Sequence, residues 1–284
     1  MTEQNRRRSP IQNIMVCLDA SSSSLNALQT AVDLAFRFKA TIVGLFVEDI
    51  NLLRLANLPF AREICFYSSQ SRELKLPEIE LQLRVQAERI RRTFIEIAER
   101  AGASWKFRNV RGTVTGEILA AGTSTDLVVL GKTGRSLPGF RRSGSTVRQL
   151  LLQRRGMTLI METRIHFLHK PVAAVYNGTG SGQKTLDTSV YLAQSYDAPL
   201  TVILLGDSDA DIEHKQRRAE EMLQYSGIRV DFRHLIKPIM AELSVYIRQV
   251  EMGPVVLPNM EDLFEGEELC GLVEEIDNPV LLIR

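Results

Sequence analysis

The amino-acid sequence predicts an α/β fold made of two tandem doubly wound parallel sheets of five strands each, the second a diverged copy of the first. Short apolar runs, typical of buried strands, alternate with longer segments whose apolar residues recur at helical spacing. This alternation favours parallel strands with helices on both faces. The same order of elements occurs twice along 284 residues, a length that suits about two domains.

The first half contains five apolar runs separated by helical patterns. Serines at 21–24 can cap the helix after the first strand, and Pro59 and Pro77 interrupt regular structure later. Residues 51–77 are therefore predicted to be a loop with a short helix, in a position to act as a lid or contact surface. The predicted strands are 13–18, 41–47, 105–110, 127–130 and 157–161, and the predicted helices are 22–38, 78–101, 115–121 and one that follows Thr146.

The second half repeats this order after a predicted linker at residues 162–170. We therefore expect two domains, residues 1–165 and residues 166–284. The predicted strands are 172–176, 200–205, 229–235, 255–257 and 280–283, and the predicted helices are 184–195, 211–225, 241–250 and 267–275.

Charge is distributed unevenly between these halves. Residues 1–165 contain 25 Lys and Arg against 15 Asp and Glu, a net charge of +10, whereas residues 166–284 contain 10 against 19, a net charge of −9. A basic half suits an anionic ligand, and an acidic half does not.

Several classes of protein are disfavoured by the composition. No uninterrupted apolar span is long enough to cross a bilayer, and the basic cluster Arg6–Arg8 precedes no signal-like apolar run. The three cysteines and four histidines do not cluster as metal ligands, and Cys17 is predicted to be a buried thiol. We expect a cytoplasmic protein with no membrane, nucleic-acid or metal site.

A loop rich in small residues follows the predicted strand at 127–130. Gly131 and Gly134 are followed, after nine residues, by Gly144-Ser145-Thr146 and the start of a helix. Glycines let the backbone approach a ligand closely, and unpaired amides at a helix N-terminus favour an anion. A P-loop would require glycine where Asp126 stands, so this pattern predicts a different phosphate cradle. The alternative is a surface loop with turn glycines.

Asp19 and the glycine loop both follow predicted strands, so they can meet at the carboxyl edge of a parallel sheet, where such folds bind ligands. The alternative for Asp19 is a helix-capping or turn residue. Asp126 precedes its strand and is expected at the opposite edge. Four cations lie in or beside the loop: Lys132, Arg135, Arg141 and Arg142. They are expected to be solvated by default, and the alternative is that one or two of them reach a bound phosphate.

The first half resembles the universal stress protein family along most of its length. The matching segments are VCLDASSSSLNALQTAVDLA, GLFVED, GTVTGEILAA, DLVVLGKTG and GSTVRQLLL, and DNPVLLIR resembles the family's last strand. The Gly-x2-Gly-x9-Gly-Ser/Thr spacing is similar to the loop of that family. The whole chain resembles a tandem universal stress protein with an adenine-nucleotide alpha-hydrolase-like fold.

This resemblance implies ATP, with Mg²⁺ bridging its phosphates, as the ligand of the first domain. On this interpretation Asp19 and the backbone near Val47 lie beside the adenosine, and the glycines of the loop approach the ribose and phosphates. The residues implied in binding are Asp19, Val47, Gly131, Gly134, Gly144, Ser145 and Thr146.

The second half departs from the family pattern. Asn177 stands where the aspartate would be, and Pro258 with several carboxylates replaces the glycine loop. Those carboxylates would repel a triphosphate, so we expect no nucleotide there. The stretch from Asn177 to Thr185 resembles a P-loop except that Gln183 replaces its second glycine, and a flexible turn is the favoured interpretation.

The sequence therefore predicts an ATP-binding universal stress protein that acts as a nucleotide-responsive regulator and not as an enzyme. Two alternatives stay open, a nucleotide-independent protein-interaction scaffold and a slow ATPase. We expect an unidentified protein partner. The apolar fifth strands predict an intramolecular pseudo-dimer, and the resemblance makes a further homodimer plausible.

Overall fold

The computed structural model describes residues 11–64, 71–134, 144–162, 170–249, 252–261, 264 and 266–284. In the first half the elements are β1 (Asn13–Leu18), α1 (Ser22–Phe38), β2 (Thr41–Asp49), α2 (Ile50–Ala56), β3 (Arg62–Ile64), β4 (Ser71–Glu73), α3 (Leu76–Arg100), β5 (Trp105–Gly112), α4 (Val114–Gly122), β6 (Leu127–Gly131), α5 (Ser145–Gln153) and β7 (Met157–Met161). In the second half they are β8 (Val172–Tyr176), α6 (Gly180–Tyr196), β9 (Leu200–Gly206), α7 (Asp209–Leu223), β10 (Val230–Ile236), α8 (Met240–Gln249), β11 (Val255–Leu257), α9 (Gly266–Glu275) and β12 (Val280–Ile283).

Within the described residues, ten strands form one continuous sheet in the order β10-β9-β8-β11-β12-β7-β6-β1-β2-β5. Each half contributes five strands, and these pair in parallel. Numbered within its own half, each set of strands has the same spatial order, 3-2-1-4-5. The predicted α/β fold class with a repeated, doubly wound parallel sheet is confirmed.

The two sets of strands meet at β7 and β12, which pair antiparallel, with Met157 opposite Ile283 and Ile160 opposite Val280. This pairing relates the halves by an approximate twofold rotation and joins the two predicted sheets into one. Both strands are largely buried, so pairing satisfies backbone groups that would otherwise lie at an edge. The expected boundary between residues 165 and 166 lies outside the described residues, and the division into two domains stays a prediction.

Helices cover both faces of the sheet. One core joins α1, α3, α6 and α7 to one face through residues such as Phe94 and Leu186. The other joins α4, α5, α8 and α9 to the opposite face through residues such as Ile118 and Leu243. Each core contains residues of both halves, so packing as well as hydrogen bonding connects them. None of the helices in the described part of the chain is long and apolar enough to cross a membrane.

The segment between β2 and α3 is more regular than the sequence predicts. The expected short helix is confirmed as α2, which begins after Asp49, whose carboxylate accepts a hydrogen bond from the Asn51 amide at 2.9 Å. Strands β3 and β4 then form an antiparallel hairpin. Helix α3 includes Pro77 in its first turn, where a missing N–H removes no helical hydrogen bond. A role as a lid stays a prediction.

The prediction of a flexible turn from Asn177 to Thr185 is wrong from Gly180 onward, where the chain is helical. Helix α6 begins at Gly180, because the side chain of Thr179 caps it by accepting a hydrogen bond from the Gly182 amide at 3.2 Å. The turn before the helix runs from Asn177 to Thr179, and its central residue, Gly178, has a φ of +83° in the left-handed region that glycine adopts readily.

Candidate functional site

A cavity of about 400 Å³ opens at the carboxyl ends of β1 and β6. These strands are neighbours, yet the chain continues from β1 to β2 on one side and from β6 to β7 on the other. Ligands of parallel α/β sheets bind at such switch points, and small-molecule sites are typically of this size. All seven residues predicted from the sequence line this cavity: Asp19, Val47, Gly131, Gly134, Gly144, Ser145 and Thr146.

Asp19 shapes the turn between β1 and α1. Its Oδ1 accepts hydrogen bonds from the amide of Ser21 at 2.9 Å and from its hydroxyl at 2.6 Å. Between them Ala20 has a φ of 64°, which an L-residue adopts only at a cost. The other carboxylate oxygen, Oδ2, faces Gly134, where an added Cβ would lie 3.3 Å from it. Asp19 is thus a turn residue, and Oδ2 points across the crevice.

Helix α3 supports this turn from a distant part of the chain. The side-chain amide of Gln86 donates a hydrogen bond to the backbone oxygen of Asp19 at 3.1 Å, and Gln86 also lines the cavity. The sequence did not predict this residue, because a single glutamine on a long amphipathic helix carries no signal of its partner. The contact fixes the carbonyl at the end of β1.

The start of the glycine loop is held by a side chain of α1 and by that of Glu162, the residue after β7. At Gly131 a Cβ would lie 2.8 Å from the backbone carbon of Ser23, so glycine is required for β6 to approach α1. The Ser23 hydroxyl donates to the Thr133 oxygen, and the carboxylate of Glu162 accepts from the Thr133 amide at 3.2 Å and from its hydroxyl at 2.8 Å. Glu162, predicted to begin a linker, therefore anchors the loop.

The other end of the loop leads into α5. Gly144 is the N-cap residue, with extended backbone, and as a glycine it has no side chain to cap this helix. The first hydrogen bond back to the cap runs from the Arg148 amide to the Gly144 oxygen at 3.1 Å. The amides of Ser145, Thr146 and Val147 precede it, so they lack intrahelical acceptors and their partial positive charge favours an anion.

The lining becomes mainly apolar on the far side of β1. Strand β2 contributes Phe46 and Val47, and helices α2 and α3 contribute Leu52 and Leu83. The crevice therefore presents amide donors next to α5 and apolar side chains next to β2. This arrangement is suited to a ligand with an anionic group at one end and a weakly polar group at the other.

The charges near the loop do not all lie where the sequence predicts. The expectation of a solvated charge is wrong for Lys132, whose side chain is 7% exposed and donates from Nζ to backbone oxygens in the second half. Arg135, Arg141 and Arg142 lie outside the described residues. Asp126 lies at the opposite edge as predicted, where its carboxylate accepts hydrogen bonds from the amides of residues 12 and 13 at 2.9 Å.

The thiol of Cys17 also borders the cavity, where it is half-buried. Burial raises its pKa to about 12, against the opposing effect of the Arg154 charge, so the thiol stays protonated at neutral pH. Among the residues that the structure describes, no cluster of three or more His, Cys, Asp or Glu side chains is placed to bind a metal.

The equivalent position in the second half has the same turn but different chemistry. The Oδ1 of Asn177 accepts from the amide and hydroxyl of Thr179, as Asp19 does from Ser21. The side-chain amide of Asn177 also donates a hydrogen bond to the backbone oxygen of Asn259 at 3.4 Å. The Ser181 hydroxyl lies 3.5 Å from the same oxygen. A carboxylate could not donate this bond. The Ser181 contact repeats that of Ser23 with the Thr133 oxygen, so the difference in the second half is the bond donated by the side chain of Asn177.

The fold and the cavity define a duplicated, doubly wound α/β protein with a ligand-sized crevice at the switch point of its first half. The model of the universal stress protein family matches residues 10–160. Since this is more than half of the chain, the protein belongs to the universal stress protein family.

Solved structures support the same fold. A universal stress protein from Archaeoglobus fulgidus DSM 4304 is 15% identical, with a TM-score of 0.73 over 98% of this chain and 99% of its own. A proposed universal stress protein from Pseudomonas aeruginosa UCBPP-PA14 is 13% identical, with a TM-score of 0.62 over 96% and 93%. At these identities the similarity shows the fold alone. No curated protein matches the sequence significantly.

Proposed function

We propose that this protein binds ATP in the cavity of its first half and acts as a nucleotide-responsive regulator in a stress response. One observation carries the proposal. Seven residues chosen from four separate segments of the sequence line a single cavity at the switch point, next to helix amides without intrahelical acceptors.

The chemistry of the lining fits the two ends of a nucleotide. The amides of Ser145 and Thr146, at the positive end of the α5 dipole, would hold the phosphates. Asp19 and Val47 would lie beside the adenosine. When bound with the phosphates, Mg²⁺ would neutralise part of their negative charge. The net charge of +10 in residues 1–165 favours the anion as a whole.

We propose that the second half binds no nucleotide and instead provides packing and a surface for a protein partner. The hydrogen bond from the side chain of Asn177 to the Asn259 oxygen supports this, because Asp19 at the corresponding position has no such donor and its Oδ2 faces Gly134. The domain division at residue 165, a homodimer and a cytoplasmic location stay predictions from the sequence.

Isothermal titration of the full chain with ATP and MgCl₂ tests the proposal. We expect one ATP per chain, competition by tripolyphosphate, and a higher melting temperature with ATP. At a free ATP concentration of about 100 times Kd, the stabilisation would be about 2.7 kcal/mol. Two ATP per chain would contradict the role given to the second half. No heat and an unchanged melting temperature would instead favour a nucleotide-independent scaffold.

A further inference from the structure

A buried lysine links the glycine loop to the second half of the chain. Lys132 lies between Gly131 and Thr133, yet its ammonium group donates hydrogen bonds to the backbone oxygens of Glu274 at 3.0 Å and Ile276 at 2.9 Å. These oxygens belong to the last turn of α9 and the residue after it. Lys132 therefore reaches more than 140 residues along the sequence, away from the phosphate site.

The end of α9 is electrostatically suited to a cation. The last carbonyl groups of a helix lack intrahelical donors and lie at the negative end of the helix dipole. A lysine ammonium can satisfy two such carbonyls at once. Because a buried charge is costly unless it is well bonded, this contact fixes Lys132 and the backbone on either side of it.

The other end of the loop is connected to the same helix. Arg148, in the first turns of α5, forms an ion pair with Glu267 at the start of α9. Leu152 packs so closely against Gly266 that a Cβ at that glycine would overlap it. Helix α9 thus contacts both regular elements that flank the glycine loop, β6 through Lys132 and α5 through Arg148 and Leu152.

We propose that α9 of the second half is a structural part of the nucleotide site of the first, and that Lys132 is the positioning residue that transmits ligand binding to it. This inference rests on the proposed function. The lysine contact runs only from the first half to the second. Its counterpart after β11 is Pro258, which has no amine that could bond to α5. When ATP binding orders the backbone around Lys132, it also orders α9. A partner that binds α9 therefore changes the affinity for ATP by the same factor as ATP changes the affinity for that partner.

Hydrogen exchange of the full chain tests the coupling. We expect ATP with MgCl₂ to slow amide exchange across residues 266–276 of the wild type, although these residues line no part of the cavity. In Lys132→Met, ATP should leave that exchange nearly unchanged, and titration should show an ATP Kd at least about fivefold higher. Lys132→Arg, which keeps a cation, should restore most of the protection.

Lys215→Met is the matched control, because Lys215 is also a largely buried lysine, bonded to the Leu205 oxygen at 2.9 Å, but lies on α7 away from α9. It should keep wild-type ATP affinity and wild-type protection of α9. If Lys132→Met does not fold, Arg148→Met, which breaks the link at the other end of the loop, should show the same reduced protection.

The outcomes separate this inference from the proposed function. If the wild type binds no ATP, the proposed function fails and the coupling fails with it. If the wild type binds ATP while exchange across 266–276 is unchanged, only the coupling is overturned. Equal ATP affinity in Lys132→Met and the wild type would also overturn it.

Discussion

Replacing Gly144 with aspartate should separate folding from nucleotide binding. Gly144 is the N-cap of α5, with φ of −60° and ψ of 150°, a conformation that any L-residue adopts. Among the residues that the structure describes, the atom nearest to a Cβ there would be the Gly134 nitrogen at 3.9 Å. Aspartate is among the favoured N-cap residues, since its carboxylate accepts hydrogen bonds from the next amides. The unliganded variant should therefore be as stable as the wild type or slightly more stable, by a few tenths of a kcal/mol.

The same carboxylate should strongly oppose a phosphate. It would occupy the amides of the first turn and place a negative charge about 4 Å from the anion. Like charges at that distance repel by about 1 kcal/mol in water and by about 4 kcal/mol at the effective dielectric constant of a protein surface. The cavity is partly open, so an intermediate value applies, and we expect the ATP Kd to rise at least about tenfold.

Titration calorimetry with ATP measures the affinity, and thermal denaturation without ligand measures the stability. Gly144→Asn is the control, because asparagine has nearly the same shape and capping ability without the charge. It should lose less affinity than the aspartate variant. A folded Gly144→Asp protein that binds ATP like the wild type would refute the assignment of the phosphates to α5. A large loss of stability without ligand would refute the capping geometry.

Three further predictions concern stability. Gly131→Ala should destabilise the fold by about 1–3 kcal/mol in denaturant titrations, because its Cβ would overlap the backbone of Ser23. Ala20→Gly should stabilise it by about 0.5–1 kcal/mol, since glycine adopts the left-handed φ of 64° without strain. Burial alone would raise the pKa of Glu48, but hydrogen bonds from Asn109 and Arg111 outweigh it and hold that pKa below its ordinary value of 4.5. The contribution of Glu48 to the free energy of unfolding should thus be present above about pH 4.5 and lost as pH falls below it. The wild type should therefore be more stable than Glu48→Gln at neutral pH, and this difference should disappear at low pH.

Each of these predictions has a clear contradictory result. A Gly131→Ala protein as stable as the wild type would show that β6 does not approach α1 as described. Lower stability of Ala20→Gly would mean that the turn after Asp19 carries no strain. A pH-independent difference between the wild type and Glu48→Gln would show that the ionised carboxylate contributes nothing.

The sequence alone was sufficient to predict the fold class and seven of the residues that line the cavity. Strands β1, β7, β8, β11 and β12 have the predicted bounds, because short apolar runs between turn residues are a local signal. The spacing of Gly131, Gly134 and Gly144 is also local, and parallel strands necessarily bring it to the same edge as Asp19. Helix ends were predicted less well, as with α6, because the Thr179 cap decides them.

Only the tertiary structure decided how distant segments complete the site. Gln86 supports the turn of Asp19, Glu162 anchors Thr133, and Lys132 is bonded to α9. The sequence predicted that the fifth strands bring the two halves together, but the antiparallel hydrogen bonding and the register of β7 with β12, which make one sheet from two, belong to the same group. Such contacts depend on the positions of residues that lie tens to hundreds of positions apart in the sequence. A single polar residue forms no periodic pattern, so the sequence does not indicate which residue it contacts.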